Sequence, residues 1–213
     1  MNINEEKPIL FNTEMVRAIL DGRKTVTRRV IKGVTDKFFL GECIDGDRKD
    51  IGKVGFGAHE CGGEITFVKP PYMPGDILYV RETWYRTDCF GLQNGYIYKA
   101  SVNDKQLNIL GKTIGLIPKW QSSIHMPKEA ARIFLKVTDV RVEQLQDMER
   151  TDFLKEGLTL PHDEHTDLFL EMEFKHIWDS TIKKKNLPIY GWEANPWVFV
   201  IEFERIEKSG DIK

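Results

Sequence analysis

The stretch "ILDGRKTVTRRV", residues 19–30, combines a change of hydrophobic period with a concentration of charge. Upstream, "FNTEMVRAILDG" places Met15, Val16, Ile19 and Leu20 at helical spacing. Asn12 or Thr13 can cap that helix, and Glu14 suits its first turn. Gly22 fits the left-handed position that ends a helix. From Thr25 to Ile31 the chain turns β-branched, which predicts a strand. In a straight strand Thr25, Thr27 and Arg29 share one face, and Val26 and Arg28 the other. Lys24 sits at the helix exit, where alternation does not set its direction. From Arg17 to Lys32 six basic residues meet one acidic residue, Asp21. A solvated basic turn, an anion clamp and a chemically active Lys–Thr pair all fit that composition.

Working outward, residues 33–63 are glycine-rich without sustained periodicity, and read as a loop or hairpin insertion. Pro74-Gly75-Asp76 is a turn signal, and Ile77–Tyr85 is expected as a strand. "GYIYKA" reads as another short strand, and residues 101–118 as a second insertion. "ARIFLKVTDVRVEQL" alternates, with a phase slip near Thr138-Asp139 that suggests a bulge or bend. A helix is expected from Asp147 to Gly157, and a longer one over residues 166–183 with Leu170, Phe174, Ile177 and Trp178 on one face. "NPWVFVIEFERI" reads as a closing strand, Val198, Val200 and Glu202 opposing Trp197, Phe199, Ile201 and Phe203. Strands and a few helices in mixed order predict an α+β domain around a small barrel with flanking helices.

The totals narrow the function classes. A chain of 213 residues supports one well-buried domain. With 31 Lys and Arg against 33 Asp and Glu, the net charge of −2 argues against non-specific coating of DNA or anionic membrane, but not against a local basic cleft. No apolar run approaches the roughly 18 residues of a membrane span, and "MNINEEKPIL" lacks a signal-peptide core. Three cysteines make a poor disulfide framework. The expectation is a reduced, cytoplasmic protein without membrane contact. Cys43, His59, Cys61 and Cys89 lack the spacing of a standard zinc set, so neither metal nor cofactor is expected. Nothing in the chain signals an oligomeric state.

"ILDGRKTVTRR" resembles the signature of ASCH domains, which have a PUA-like fold. That signature is a glycine, one residue, a lysine, then a threonine and an arginine within the next five positions; Gly22, Lys24, Thr27 and Arg29 match it. "PGDILYVRETW", "SIHMP", "ARIFLKVTDVRVEQL" and "NPWVFVIEF" are similar to segments of the ASCH proteins common in phages and prophages. The resemblance covers most of the chain. It implies one ASCH/PUA-like domain over residues 1–213, with insertions at 33–70 and 90–118. PUA-like barrels commonly bind RNA or modified bases. A branch of ASCH proteins are amidohydrolases that deacetylate acetylcytidine with a lysine, a threonine and a glutamate. Lys24 and Thr27 match the first two. Where that branch has its glutamate, this chain most nearly has Lys136, so a carboxylate from elsewhere must substitute.

Glu82 in "VRETW" is the best substitute. A glutamate within an apolar strand is costly to bury unless paired, and Arg29 or Lys24 are the expected partners. In a hydrolase Thr27 attacks the amide carbonyl or orients water, and a desolvated Lys24 takes the proton. Glu82 holds the lysine or serves the leaving amine, and Arg29 binds a phosphate or oxyanion. Thr25, Trp84, Trp120 and His125 are further candidates for ligand contact. The two tryptophans can stack a base, although each equally suits a core, and His125 in "SIHMP" equally suits a turn. Three functions follow: binding of RNA, a nucleotide or a modified base; amide hydrolysis of an acylated cytidine or related nucleoside; or a phage accessory role through protein contacts.

Overall fold

The structure, a computed structural model, describes residues 6–34, 38–41, 53–58, 65–87, 95–114, 119–160 and 167–207. It is an α+β protein. Strands β1 (Lys7–Leu10), β6 (Ile77–Arg81), β9 (Phe134–Gln144), β10 (Trp197–Ile206) and β2 (Val26–Val30) hydrogen-bond in that order, in a five-stranded sheet that does not close into a barrel. Strands β3 (Phe38–Gly41), β4 (Val54–Ala58) and β5 (Ile65–Val68) form a separate antiparallel sheet, and β7 (Trp84–Arg86) and β8 (Tyr96–Tyr98) a hairpin. No helix among the described residues is long and apolar enough to cross a membrane. The chain divides into two compact units. The first comprises Met1–Lys24, Gly75–Lys136 and Glu204–Lys213, and the second Thr25–Pro74 and Val137–Phe203.

In the first unit, helix α1 spans Thr13–Leu20, and the Asn12 side chain caps it by accepting from the Met15 N–H at 2.8 Å. Gly22 adopts a φ of +75°, which a residue with a Cβ rarely tolerates. The turn there lets the Arg23 and Lys24 N–H groups both donate to the Ala18 carbonyl. Strand β1 pairs parallel to β6, and β6 pairs antiparallel to β9 with Tyr79 opposite Phe134. Trp84, Met126, Ala130, Ala131 and Phe134 form the core here.

Two differences from the sequence reading stand out in this unit. The strand expected over Ile77–Tyr85 breaks at Glu82 and Thr83, and resumes as β7, paired to β8 with Trp84 opposite Tyr98. Contacts of Arg81 and Glu82 to residues 124–132 hold this break. The expected second insertion holds helix α2 (Asp104–Ile114). A reciprocal cap starts it: Asn103 Oδ1 accepts from the Gln106 N–H and Gln106 Oε1 from the Asn103 N–H, both at 2.9 Å. That Asn-x-x-Gln signal was present in the sequence. Strand β9 is assigned continuously across the Thr138-Asp139 phase slip.

In the second unit, β2 lies antiparallel to β10, with Val26 opposite Glu202 and Val30 opposite Val198. The glycine-rich stretch expected as a loop or hairpin supplies β3 and β4, and β5 follows it. Helix α3 covers Arg150–Lys155, starting later than expected because Asp147 caps the preceding 3-10 turn by accepting from the Gln144 N–H. Gly157 ends it at a φ of +101°. Helix α4 (Asp167–Thr181) buries Leu170, Phe174 and Trp178, and α5 (Leu187–Tyr190) follows. The Phe174 ring meets Phe153, Trp178 and Trp192 at centroid distances of 5.6, 6.1 and 5.9 Å. Such pairs contribute about 0.5–1.5 kcal/mol each beyond burial. On β10, Val198, Val200, Phe199 and Ile201 are all buried, so both faces of this interior strand are covered. Asn195 takes the left-handed turn before β10, with φ 41°, and its Oδ1 accepts from the Gln146 N–H.

Candidate functional site

Strand β2 and the segment after β5 line a cavity of about 570 Å³ in the second unit. Arg28, Arg29, Lys32 and Lys69 contribute to its wall with Tyr72 and Trp178, and no carboxylate is among its described lining residues. The cations are not equivalent. Arg28 is wholly buried, with Glu143, Asp152 and Glu156 at 3.3, 3.3 and 3.4 Å from its guanidinium. Its Nε has no hydrogen-bond partner. Glu143 is shared with Arg141, whose guanidinium also contacts Glu202 at 2.6 Å. Arg28 is thus a buried anchor between β2, β9 and α3, and its charge is more than balanced. Nothing in "TRRV" distinguishes it from Arg29, because the three carboxylates come from residues far along the chain.

Arg29 is partly buried and belongs to the cavity wall. Burial pulls its guanidinium below the ordinary arginine value, while Tyr72 and Glu156 push it back up. It remains charged at any physiological pH. Lys32 and Lys69 are exposed. Guanidinium and ammonium groups are of the kind that bind anions, the first through paired donors and the second as mobile point charges.

In the first unit, Lys24 is 2% exposed and Glu82 1%. The Lys24 ammonium stands 5.8 Å from the centroid of the Phe11 ring. Glu82 was expected to pair with Arg29 or Lys24, but it is Arg132 that grips it. Arg132 Nε and Nη2 donate to its two oxygens at 2.8 and 3.0 Å, and Nη1 to Ser101 Oγ at 2.7 Å. The same guanidinium lies 4.0 Å from the Tyr98 ring centroid. The Glu82 backbone N–H points to Met126 Sδ at 3.2 Å, and Arg81 binds the carbonyls of Met126 and Ile124. These contacts to residues 124–132 hold the interruption between β6 and β7. Burial pushes the Glu82 carboxyl above the ordinary value, opposed by Arg132. Both oxygens of Glu82 thus accept from Arg132.

The other expected residues fall in both units. Thr27 is buried opposite Ile201 in the second unit. Thr25 is exposed, its N–H bonded to the Lys155 carbonyl. Trp84 belongs to the first unit's core, edge-on to Tyr96 at 5.6 Å, with a buried indole N–H that lacks a partner. It presents no face for stacking a base. Trp120 is half-buried and His125 is exposed on a 3-10 turn, Ser123–His125. Lys136 is exposed and paired with Glu204 at 3.6 Å. Cys43, His59, Cys61 and Cys89 lie outside the described residues.

The first unit has a larger cavity, about 670 Å³, lined by Arg17, Lys99, Ser101, Asn103 and Gln106 among others. Much of its polar lining is already engaged. Arg17 binds Glu14 and the Ala100 carbonyl, Asn103 and Gln106 bind each other, and Ser101 accepts from Arg132. It is therefore a weaker ligand site than the cation-lined cavity.

No family model matches the chain, and no curated protein or solved structure matches it either.

Proposed function

We propose that this chain is a cytoplasmic ASCH-type protein, related to the PUA-like barrels, that binds a nucleotide, a modified base or RNA through the basic cavity of its second unit. The observation that carries the reading is that cavity, in which Arg29, Lys32 and Lys69 meet with no carboxylate among the described lining residues. Arg29 is also the arginine of the ASCH-like signature, so sequence pattern and cavity converge on one residue. Amide hydrolysis is the second reading, favoured by the burial of Lys24 and Thr27 at 2% and 3% exposure. The grip of Arg132 on Glu82 weighs against it.

One set of purified proteins tests both. Ribonucleotides and a short single-stranded RNA are titrated into wild type and Arg29→Ala, at two salt concentrations. Losing a charged hydrogen bond costs about 1.5–3 kcal/mol, so Arg29→Ala is expected to weaken binding roughly 10- to 100-fold and to reduce its salt dependence. Absence of binding by wild type, or equal binding by the variant, defeats the binding reading. Release of cytidine from acetylcytidine by wild type, abolished in Lys24→Ala, would establish the hydrolase instead.

A further inference from the structure

The cavity of the second unit runs along a strand edge, and that edge carries open main-chain groups. We propose that the edge of β2 reads the pairing edge of a heterocyclic base held in this cavity. This deepens the reading above and rests on the cavity being the binding site.

The strand register fixes which groups are open. The Ile31 N–H donates to the Trp197 carbonyl and the Phe203 N–H to the Thr25 carbonyl, both at 2.9 Å. In an antiparallel pair, residues bonded to the partner strand alternate with residues that are not. Thr27 and Arg29 therefore turn their main-chain groups toward β10, and Arg28 and Val30 turn theirs away from it. Strand β2 ends its sheet, so no strand takes up those groups, and no other main-chain bond among the described residues does. Arg28 and Val30 both line the cavity. The Arg28 side chain is fully buried against its three carboxylates while the residue as a whole is 3% exposed, so what it presents there is main chain. An N–H beside a C=O is a donor–acceptor pair of the kind that a base carries on its own pairing edge.

The space suits a ring better than a strand. About 570 Å³ falls within the roughly 300–1,000 Å³ of small-molecule sites. Val68, Pro71, Trp178 and Ile182 give apolar lining for the faces of a ring. A peptide added to the edge draws its affinity from a run of main-chain bonds. Here the run is short, because at the start of β2 the Thr25 N–H goes to the carbonyl of Lys155, the last residue of α3. The exposed Lys32 and Lys69 in the same wall suit the phosphate of a nucleotide.

The test is amide hydrogen exchange, read residue by residue by NMR on the isotope-labelled full chain, with affinities taken from the same titrations. The probes are the common ribonucleoside 5′-monophosphates, each compared with its analogue methylated on the ring nitrogen of the pairing edge, together with a short single-stranded RNA and a short extended acidic peptide. At least one monophosphate is expected to bind, and to slow exchange of the Arg28 and Val30 amides more than that of the Arg29 and Ile31 amides, which already bond to β10. Methylation on the pairing edge should weaken that binding by roughly 10-fold, the loss expected for one or two hydrogen bonds. A methylated analogue that binds as tightly as its parent overturns the inference and leaves the binding reading standing. So does nucleotide binding that leaves the Arg28 and Val30 amides unchanged. Protection of these two amides by the peptide and by no monophosphate overturns it as well, and assigns the edge to strand addition. Failure of every monophosphate and of the RNA defeats the binding reading itself.

Discussion

The pair formed by Glu82 and Arg132 gives the most direct physical test of the first unit. The perturbation is Arg132→Leu, which keeps an apolar stem and removes the guanidinium. Glu82 is 1% exposed, so its carboxylate would lose both donors without access to water. Removing one partner of a buried pair costs about 3–5 kcal/mol. Arg132 itself is 29% exposed, so its charge is partly screened and the lower end, about 3 kcal/mol, applies. Stacking on Tyr98 adds about 0.5–1 kcal/mol. For a chain of this size about 3 kcal/mol lowers Tm by roughly 6–12 °C. The effect should depend on pH. Burial already raises the Glu82 carboxyl, and without Arg132 nothing named here opposes that rise. A carboxyl whose folded value lies above its unfolded one contributes stability below both, which is lost as pH rises through the folded value. The variant should therefore recover stability on acidification from neutral pH toward the unfolded glutamate value, about 4.3. Adding Glu82→Gln to Arg132→Leu should restore most of the loss at neutral pH, because an amide is far cheaper to bury than an unpaired charge. Thermal and urea melts across pH measure all three. A loss below about 1 kcal/mol with no pH dependence and no rescue would show that Glu82 does not depend on Arg132.

Tyr98 is pushed up to about 12 by its burial and by Glu82 and Tyr96, against the lowering effect of Arg132. Ultraviolet titration of wild type against Tyr98→Phe should show one tyrosine ionising at the top of the accessible range. Because the unfolded phenol ionises near 10, the stability held by the neutral form should be lost as pH rises from about 10 to 12. Asn12→Ala removes the cap on α1, and should cost about 1 kcal/mol in a urea melt, with Asn12→Ser close to neutral.

Local chemistry determined much of this protein from sequence alone. The cap at Asn12, the left-handed Gly22 and the β-branched run after Lys24 made helix α1 and strand β2 legible, because each signal lies within a few residues of the structure it sets. The same holds for α4 and β10, whose apolar positions repeat over many residues. Helix α2 was equally legible through Asn103 and Gln106, and through Leu107, Leu110 and Ile114 at helical spacing. Arg29 was marked as an anion ligand by its neighbours in the chain. Its cavity was not, because Lys69, Tyr72 and Trp178 come from distant segments and only folding joins them. Two adjacent arginines also received opposite fates. Arg28 was drawn to three acidic residues more than a hundred positions away, and Arg29 lines the cavity. The partner of Glu82 was likewise unreadable, since Arg132 lies 50 positions further on. A buried charge must find a counter-charge, and the sequence shows that one is needed. Which residue supplies it depends on tertiary packing, since electrostatic partners are chosen by distance in space and not along the chain.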